Sequence, residues 1–172
     1  MNIQKLHHLF LDSTGVSIDS REIKKNNLFF AIKGEKFDGN SFAKNALNQG
    51  AKYAIIDNPK FSDDERYILV EDVLTCLQQL AKYHRGILSC HVLGITGTNG
   101  KTTTKELINV VISKKYRTVS TKGNLNNHIG VPLTILRANL QTEFLILEMG
   151  ANHVREIEFL CSIAQVNYGI IT

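Results

Sequence analysis

Residues 91–105, HVLGITGTNGKTTTK, pass from an apolar strand pattern through three glycines into a helix pattern, and this passage constrains the fold more than any other stretch. Val92, Leu93 and Ile95 form the short apolar run expected of a buried parallel strand, and the helix pattern continues as KTTTKELINVVISK. A strand that hands over to a helix within a few residues belongs to an α/β layer structure, with helices covering a parallel sheet. The turn has two readings. One is an ordinary strand-to-helix connection with a coincidental lysine. The other is an anion cradle, because the first turn of a helix offers unpaired N–H groups and the positive end of the macrodipole.

The rest of the chain repeats the alternation. NLFFAIKG, YAIID, RYILVED, YRTVST, EFLILEMG and NYGIIT read as strands. Between them, Ser41 is placed to cap a helix with Phe42, Ala43, Ala46 and Leu47 on one face, closed by Gly50. Asp72 is placed to cap another carrying Val73, Leu74, Leu77, Leu80 and Ala81 inward and stopping at Gly86, and HVREIEFLCSIAQ makes a further helix. The expected fold class is α/β, with a small N-terminal α/β domain (residues 1–86) and then part of a P-loop-type, mostly parallel sheet with helices on both faces (residues 87–172). A parallel sheet ending on a strand, without a last crossover helix, suggests a fragment of a longer protein.

Composition narrows the function classes. The 172 residues carry a formal charge of +4 and no run of five basic residues, which argues against a nucleic-acid surface. Cys76, Cys90 and Cys161 are scattered and lack C-x-x-C spacing, so reduced thiols in a cytoplasmic protein are the simplest reading. No signal peptide or bilayer-spanning stretch is visible, and no membrane partner is expected.

In GITGTNGKTT, Gly94, Gly97 and Gly100 allow close backbone approach. Lys101 is suited to β- and γ-phosphates and the Thr102 hydroxyl to Mg²⁺. The generic P-loop places a glycine five residues before the Gly-Lys pair, where this chain has Ile95. Glu148 ends the strand FLILE, where an acid can face phosphates across the carboxyl edge of a sheet.

GITGTNGKTTTKE resembles the phosphate loop of the Mur ligases, including the G-T-N-G-K-T core that replaces the generic spacing. TKGNLNNHIGVPLTIL resembles the asparagine-rich segment that follows it in that family, and LEMGANHVREI a segment E-[LM]-G-A-N-H-x-G-E-I of one branch. SIDSREIKKNNLFFAIKGEKFDGNSFAKNALNQGAKYAI is similar to the family's N-terminal domain, which holds a uridine nucleotide. The departure is Arg155, where the pattern has glycine.

The resemblance implies an ATP- and Mg²⁺-dependent amide ligase of peptidoglycan precursor synthesis, working through an acyl phosphate. Its partners would be UDP-N-acetylmuramoyl-tripeptide and D-alanyl-D-alanine, and the protein is expected to be a monomer. It further implies that Gly97, Thr98, Asn99, Gly100, Lys101, Thr102 and Thr103 form the ATP loop. Lys101 would act as charge clamp, and Thr102 and Glu148 as metal ligands. Ser20, Arg21, Asn126, Asn127 and His153 would lie on the substrate side. All but Ser20 have a plainer reading: Arg21 paired with Asp19, a turn built of asparagines, a histidine bonding at a helix start. Lys33, Gly34, Asp38 and Gly39 would shape the loop beside the uridine nucleotide. The family's carbamylated lysine, histidine ligand and C-terminal domain would lie beyond Thr172, leaving these residues alone inactive. Two other readings stay open: a non-catalytic nucleotide-sugar-binding module, or the related ligase adding the third stem-peptide residue. Another P-loop NTPase would predict the generic loop spacing and no asparagine-rich segment, and both expectations fail here.

Overall fold

The computed structural model describes residues 2–35 and 37–172. Two compact units divide the chain, Met1–Leu80 and Ala81–Thr172.

The first unit opens with α1 (Ile3–Leu11), capped by the Asn2 side chain through the Gln4 N–H. Its sheet comprises β1 (Val16–Ser17), β2 (Leu28–Phe30), β3 (Tyr53–Ile56) and β4 (Tyr67–Leu69), all parallel in the order β1-β2-β3-β4. The β2–β3 crossover is a 3-10 turn (Gly39–Phe42) running into α2 (Ala43–Asn48). Ala43, Ala46 and Leu47 pack on Phe29, Ala31, Ala54 and Ile56, a helix stripe set against alternate strand positions.

Two sequence expectations need correction here. Asp38, not Ser41, caps the crossover: its side chain accepts the Asn40 N–H, while the Ser41 hydroxyl donates back to the Asp38 carbonyl. The extra 3-10 turn moves the helix start to Ala43, which turns Phe42 out of the core to 42% exposure. The next helix, α3 (Val73–Ile87), begins in the first unit and ends in the second. Asp72 accepts the Thr75 N–H at its start, as expected of a cap, and the helix runs one residue past Gly86.

In the second unit β5 (His91–Thr96), β6 (Thr118–Ser120), β7 (Phe144–Glu148) and β8 (Tyr168–Ile171) form a parallel sheet in the order β6-β7-β5-β8. The helices are α4 (Lys101–Ile112), the short α5 (Gly130–Ile135), which the sequence pattern did not suggest, and α6 (Glu156–Ala164). Ile108 and Ile112 of α4 pack on Leu93, Ile95 and Ile146. The alternate position, Gly94, sits against Val166 and Met149, so the other face of β5 is covered too. Central β5 and β7 are therefore almost wholly apolar and buried, as a sheet covered on both faces requires.

Buried Arg85 ties this unit together. Its guanidinium donates to the carbonyls of Ala164 (2.9 Å), Leu88 (2.9 Å) and Gln165 (3.3 Å) and to Asn167 Oδ1 (3.3 Å). Two of those carbonyls belong to the end of α6, where a cation complements the helix dipole.

Candidate active site

The glycine-rich loop lies at the carboxyl end of central β5, between two parallel neighbours, where open α/β sheets bind ligands. Gly97 has φ +138° and Gly100, which caps α4, has φ +79°, both in the region that favours glycine. Gly97 has a second reason to lack a side chain. A Cβ there would stand 2.1 Å from the carbonyl oxygen of Thr172, which follows β8. The Thr172 hydroxyl donates to the carbonyls of Asn99 (2.5 Å) and Thr96 (3.3 Å), so β8 braces the loop from one side. Thr98, Asn99, Gly100, Thr102 and Thr103 are exposed. The first-turn N–H groups of α4 are those a helix cannot pair internally.

Lys101 folds back over the loop, its Nζ donating to the Gly97 carbonyl at 2.7 Å. On the other side, Glu148 is 2% exposed at the end of β7. Its Oε2 accepts the Thr102 hydroxyl (2.9 Å), and its Oε1 accepts Asn126 Nδ2 (2.9 Å). The structure thus joins loop, strand end and asparagine-rich segment into one hydrogen-bonded unit. Gly150 N–H donates to the Asn126 carbonyl at 2.8 Å, which fixes the asparagine's backbone as well.

The other expected site residues take varied places. Asn127 Oδ1 accepts the N–H groups of Ile129 (3.1 Å) and Gly130 (2.9 Å), so it shapes the turn into α5. His153 is exposed, and its backbone N–H donates to Glu156 Oε2 (3.1 Å), which also takes the Asn152 N–H (2.6 Å). Those two bonds hold the Glu156 carboxyl below its ordinary value.

In the first unit Ser20 is buried and Arg21 exposed. The Arg21 guanidinium grips Asp19 through two nitrogens, Nε at 2.9 Å and Nη2 at 2.6 Å, and this lowers the Asp19 pKa to about 2. The loop after β2 is anchored to the end of β3 by fully buried Asn40. Its Nδ2 donates to Asp38 (2.6 Å) and Asp57 (2.8 Å), and its Oδ1 accepts the Asp57 and Asn58 N–H groups. Burial raises the Asp57 pKa, but Lys33 at 2.9 Å, Asn40 and the Val73 N–H outweigh it and leave the carboxyl below its usual range. A Cβ on Gly39 would stand 2.3 Å from the Ile32 carbonyl, so that residue is glycine for packing. Asn40 and Asp57 were not singled out from sequence, because a buried amide has no periodic signature.

The donor set suits a magnesium–triphosphate. Mg²⁺ prefers oxygen, takes one or two carboxylates, and completes its shell with water and phosphate. One buried carboxylate against one hydroxyl matches that habit. Among the described residues no group of three His, Cys, Asp or Glu side chains is placed to hold an ion alone. Nor is any helix among them long and apolar enough to cross a membrane.

The fold is a P-loop-like α/β architecture of parallel sheets flanked by helices. Residues 12–85 match the Mur ligase family, catalytic domain, and residues 95–172 match the Mur ligase middle domain. The chain belongs to the Mur ligase family. It is 44% identical over 160 residues to the UDP-N-acetylmuramoyl-tripeptide–D-alanyl-D-alanine ligase of Bacillus subtilis, covering 92% of this chain and 35% of that protein. The enzyme of the same name from Escherichia coli K12 is 35% identical over 156 residues, covering 91% of this chain and 34% of the relative. Among solved structures, MurF from Acinetobacter baumannii superposes with a TM-score of 0.85 at 32% identity, over 99% of this chain and 40% of that one. MurF ligase from Thermotoga maritima in complex with ADP gives 0.79 at 37% identity, over 91% and 36%. The chain spans little more than a third of the length of these relatives.

Proposed function

We propose that this chain supplies the uridine-nucleotide domain (residues 1–86) and the first part of the ATP-binding domain (residues 87–172) of a cytoplasmic ligase. That ligase joins D-alanyl-D-alanine to UDP-N-acetylmuramoyl-tripeptide. The supporting observation is the Thr102–Glu148–Asn126 unit at the mouth of the Gly97–Thr103 loop. Relatives with that activity in their names support the choice of substrates.

In the proposed reaction a carboxylate oxygen of the tripeptide attacks the γ-phosphorus of ATP, and the bond to ADP breaks. The amine of D-alanyl-D-alanine then attacks the acyl carbon. A C–N bond forms, phosphate leaves with the C–O electron pair, and the nitrogen loses a proton. Phosphoryl transfer asks the protein mainly for positioning and charge neutralisation. Backbone N–H groups of residues 98–103 bind the phosphates. Lys101 exchanges the Gly97 carbonyl for phosphate oxygen. Thr102 and Glu148 would hold Mg²⁺, which would supply charge neutralisation at the phosphates. Asn126 keeps Glu148 oriented. In the first domain Ser20 and Arg21 face the uridine diphosphate, Arg21 giving up Asp19 to do so. Asn127 and His153 border the muramyl-peptide side.

Calorimetric titration of the chain with a magnesium-bound, non-hydrolysable ATP analogue tests this reading. Lys101→Ala should weaken binding about 10- to 100-fold, the worth of one hydrogen bond to a charged group. Unchanged affinity in a folded variant refutes the phosphate loop.

A further inference from the structure

We propose that Lys105 is a positioning residue for the metal-side carboxylate. Its buried ammonium pins the end of β6 and, through Thr121, holds Glu148 in the place that receives the magnesium-bound triphosphate. The inference rests on the nucleotide reading above and adds a residue which that reading leaves unused.

Lys105 lies one turn beyond Thr102 on α4, on the helix face that packs on the sheet. With Ile108 and Ile112 it completes a stripe at spacings of three and seven. Its side chain is 1% exposed and among the largest fully buried ones. Keeping an ammonium there costs several kcal/mol of lost hydration, and a methionine of similar volume would fill the space without that cost. The ammonium therefore has to serve something beyond packing.

Its contacts show what. Nζ donates to the Thr121 carbonyl at 2.8 Å and pairs with Glu106 Oε1 at 2.7 Å. Thr121, itself 1% exposed, continues the β6–β7 ladder through its N–H to the Ile146 carbonyl at 3.0 Å. Its hydroxyl accepts the Glu148 N–H at 3.0 Å. From Thr121 the chain runs to Asn126, which bonds the Glu148 carboxylate. Glu148 in turn bonds Thr102, back on α4. Lys105, Thr121, Glu148 and Thr102 thus close a ring that begins and ends on one helix turn. Two hydrogen bonds fix the carboxylate from outside, and the lysine fixes the strand end from which its backbone is held. Without the lysine, the Thr121 end of the ring is tied to β7 alone.

The test compares affinity for a non-hydrolysable ATP analogue with Mg²⁺ and in EDTA. The ratio of the two reports the metal's contribution, independently of turnover. Lys105→Met should fold with a melting temperature near that of the parent. Its ratio should fall about tenfold, the lower end of losses seen when a group supporting a metal ligand is removed. In a Glu148→Gln background the same substitution should cost nothing further, because the lysine acts through that carboxylate. A folded Lys105→Met with an unchanged ratio, or an equal loss in both backgrounds, overturns the proposal. Glu148→Gln alone leaving the ratio intact overturns the nucleotide-site reading itself, and the Lys105 role with it. Should Lys105→Met not fold, Lys105→Arg takes its place in both backgrounds. Arginine keeps charge and stem but displaces the donor, so the same tenfold fall is expected and an unchanged ratio again overturns the proposal.

Discussion

Arg155→Gly should stabilise the protein, although it deletes a charged side chain and inserts the residue usually counted as flexible. Arg155 immediately precedes α6 with φ +68° and ψ +2°, in the left-handed region. An L-residue with a Cβ carries roughly 1–2 kcal/mol of strain in that region, and glycine carries none. Against this stands the larger unfolded-state freedom of glycine, roughly 0.5–1 kcal/mol. The side chain is exposed, so little packing goes with it. The net expectation is about 0.5–1 kcal/mol of added stability, or roughly 2–8 °C in melting temperature for a unit of this size. Urea denaturation followed by circular dichroism is the assay, with Arg155→Ala as the comparison. Alanine removes the same guanidinium but keeps the Cβ, so it should match the parent to within about 0.5 kcal/mol. If alanine stabilises as much as glycine, the effect belongs to the lost charge and the backbone argument is wrong. If glycine destabilises, Arg155 holds the turn by contacts that outweigh its strain.

Two further outcomes follow from buried groups of the second unit. Burial pushes the His84 pKa down, against the Ala138 carbonyl bonded to its Nε2 at 2.9 Å. Below the unfolded histidine value of about 6.5, the unfolded chain gains a proton that the folded chain refuses, so stability drops as pH falls. Melts between pH 8 and 5 should show this loss, and His84→Gln should flatten the profile; an unchanged slope excludes His84 as its source. Arg85→Ala strands the buried carbonyls of Ala164 and Leu88 and releases the exposed Gln165 and Asn167, and should cost about 3 kcal/mol in urea unfolding. A loss under about 1 kcal/mol would mean that water or neighbouring donors replace the guanidinium.

Local chemistry made much of this protein legible in one dimension. The apolar runs at Leu28–Phe30, Tyr53–Ile56, His91–Thr96 and Phe144–Glu148 are strands because a doubly covered sheet demands continuous hydrophobicity there. Gly97 and Gly100 mark the loop because their backbone angles exclude most other residues. Family resemblance also exposed Arg155 as an anomaly, and the left-handed backbone supplies its physical meaning.

Tertiary contact decided what no periodicity encodes. Ser41 and Asp38 are equally good caps by composition, and the 3-10 turn selected Asp38. Arg21 and Asp19 are neighbours in any conformation, but only the folded turn aligns two guanidinium nitrogens on one carboxylate. Lys105 stood in plain view on an apolar stripe. Its worth depends on Thr121, Glu148 and Thr102 converging from separate elements, and hydrogen bonds of fixed length and direction form only once the sheet has brought those ends together.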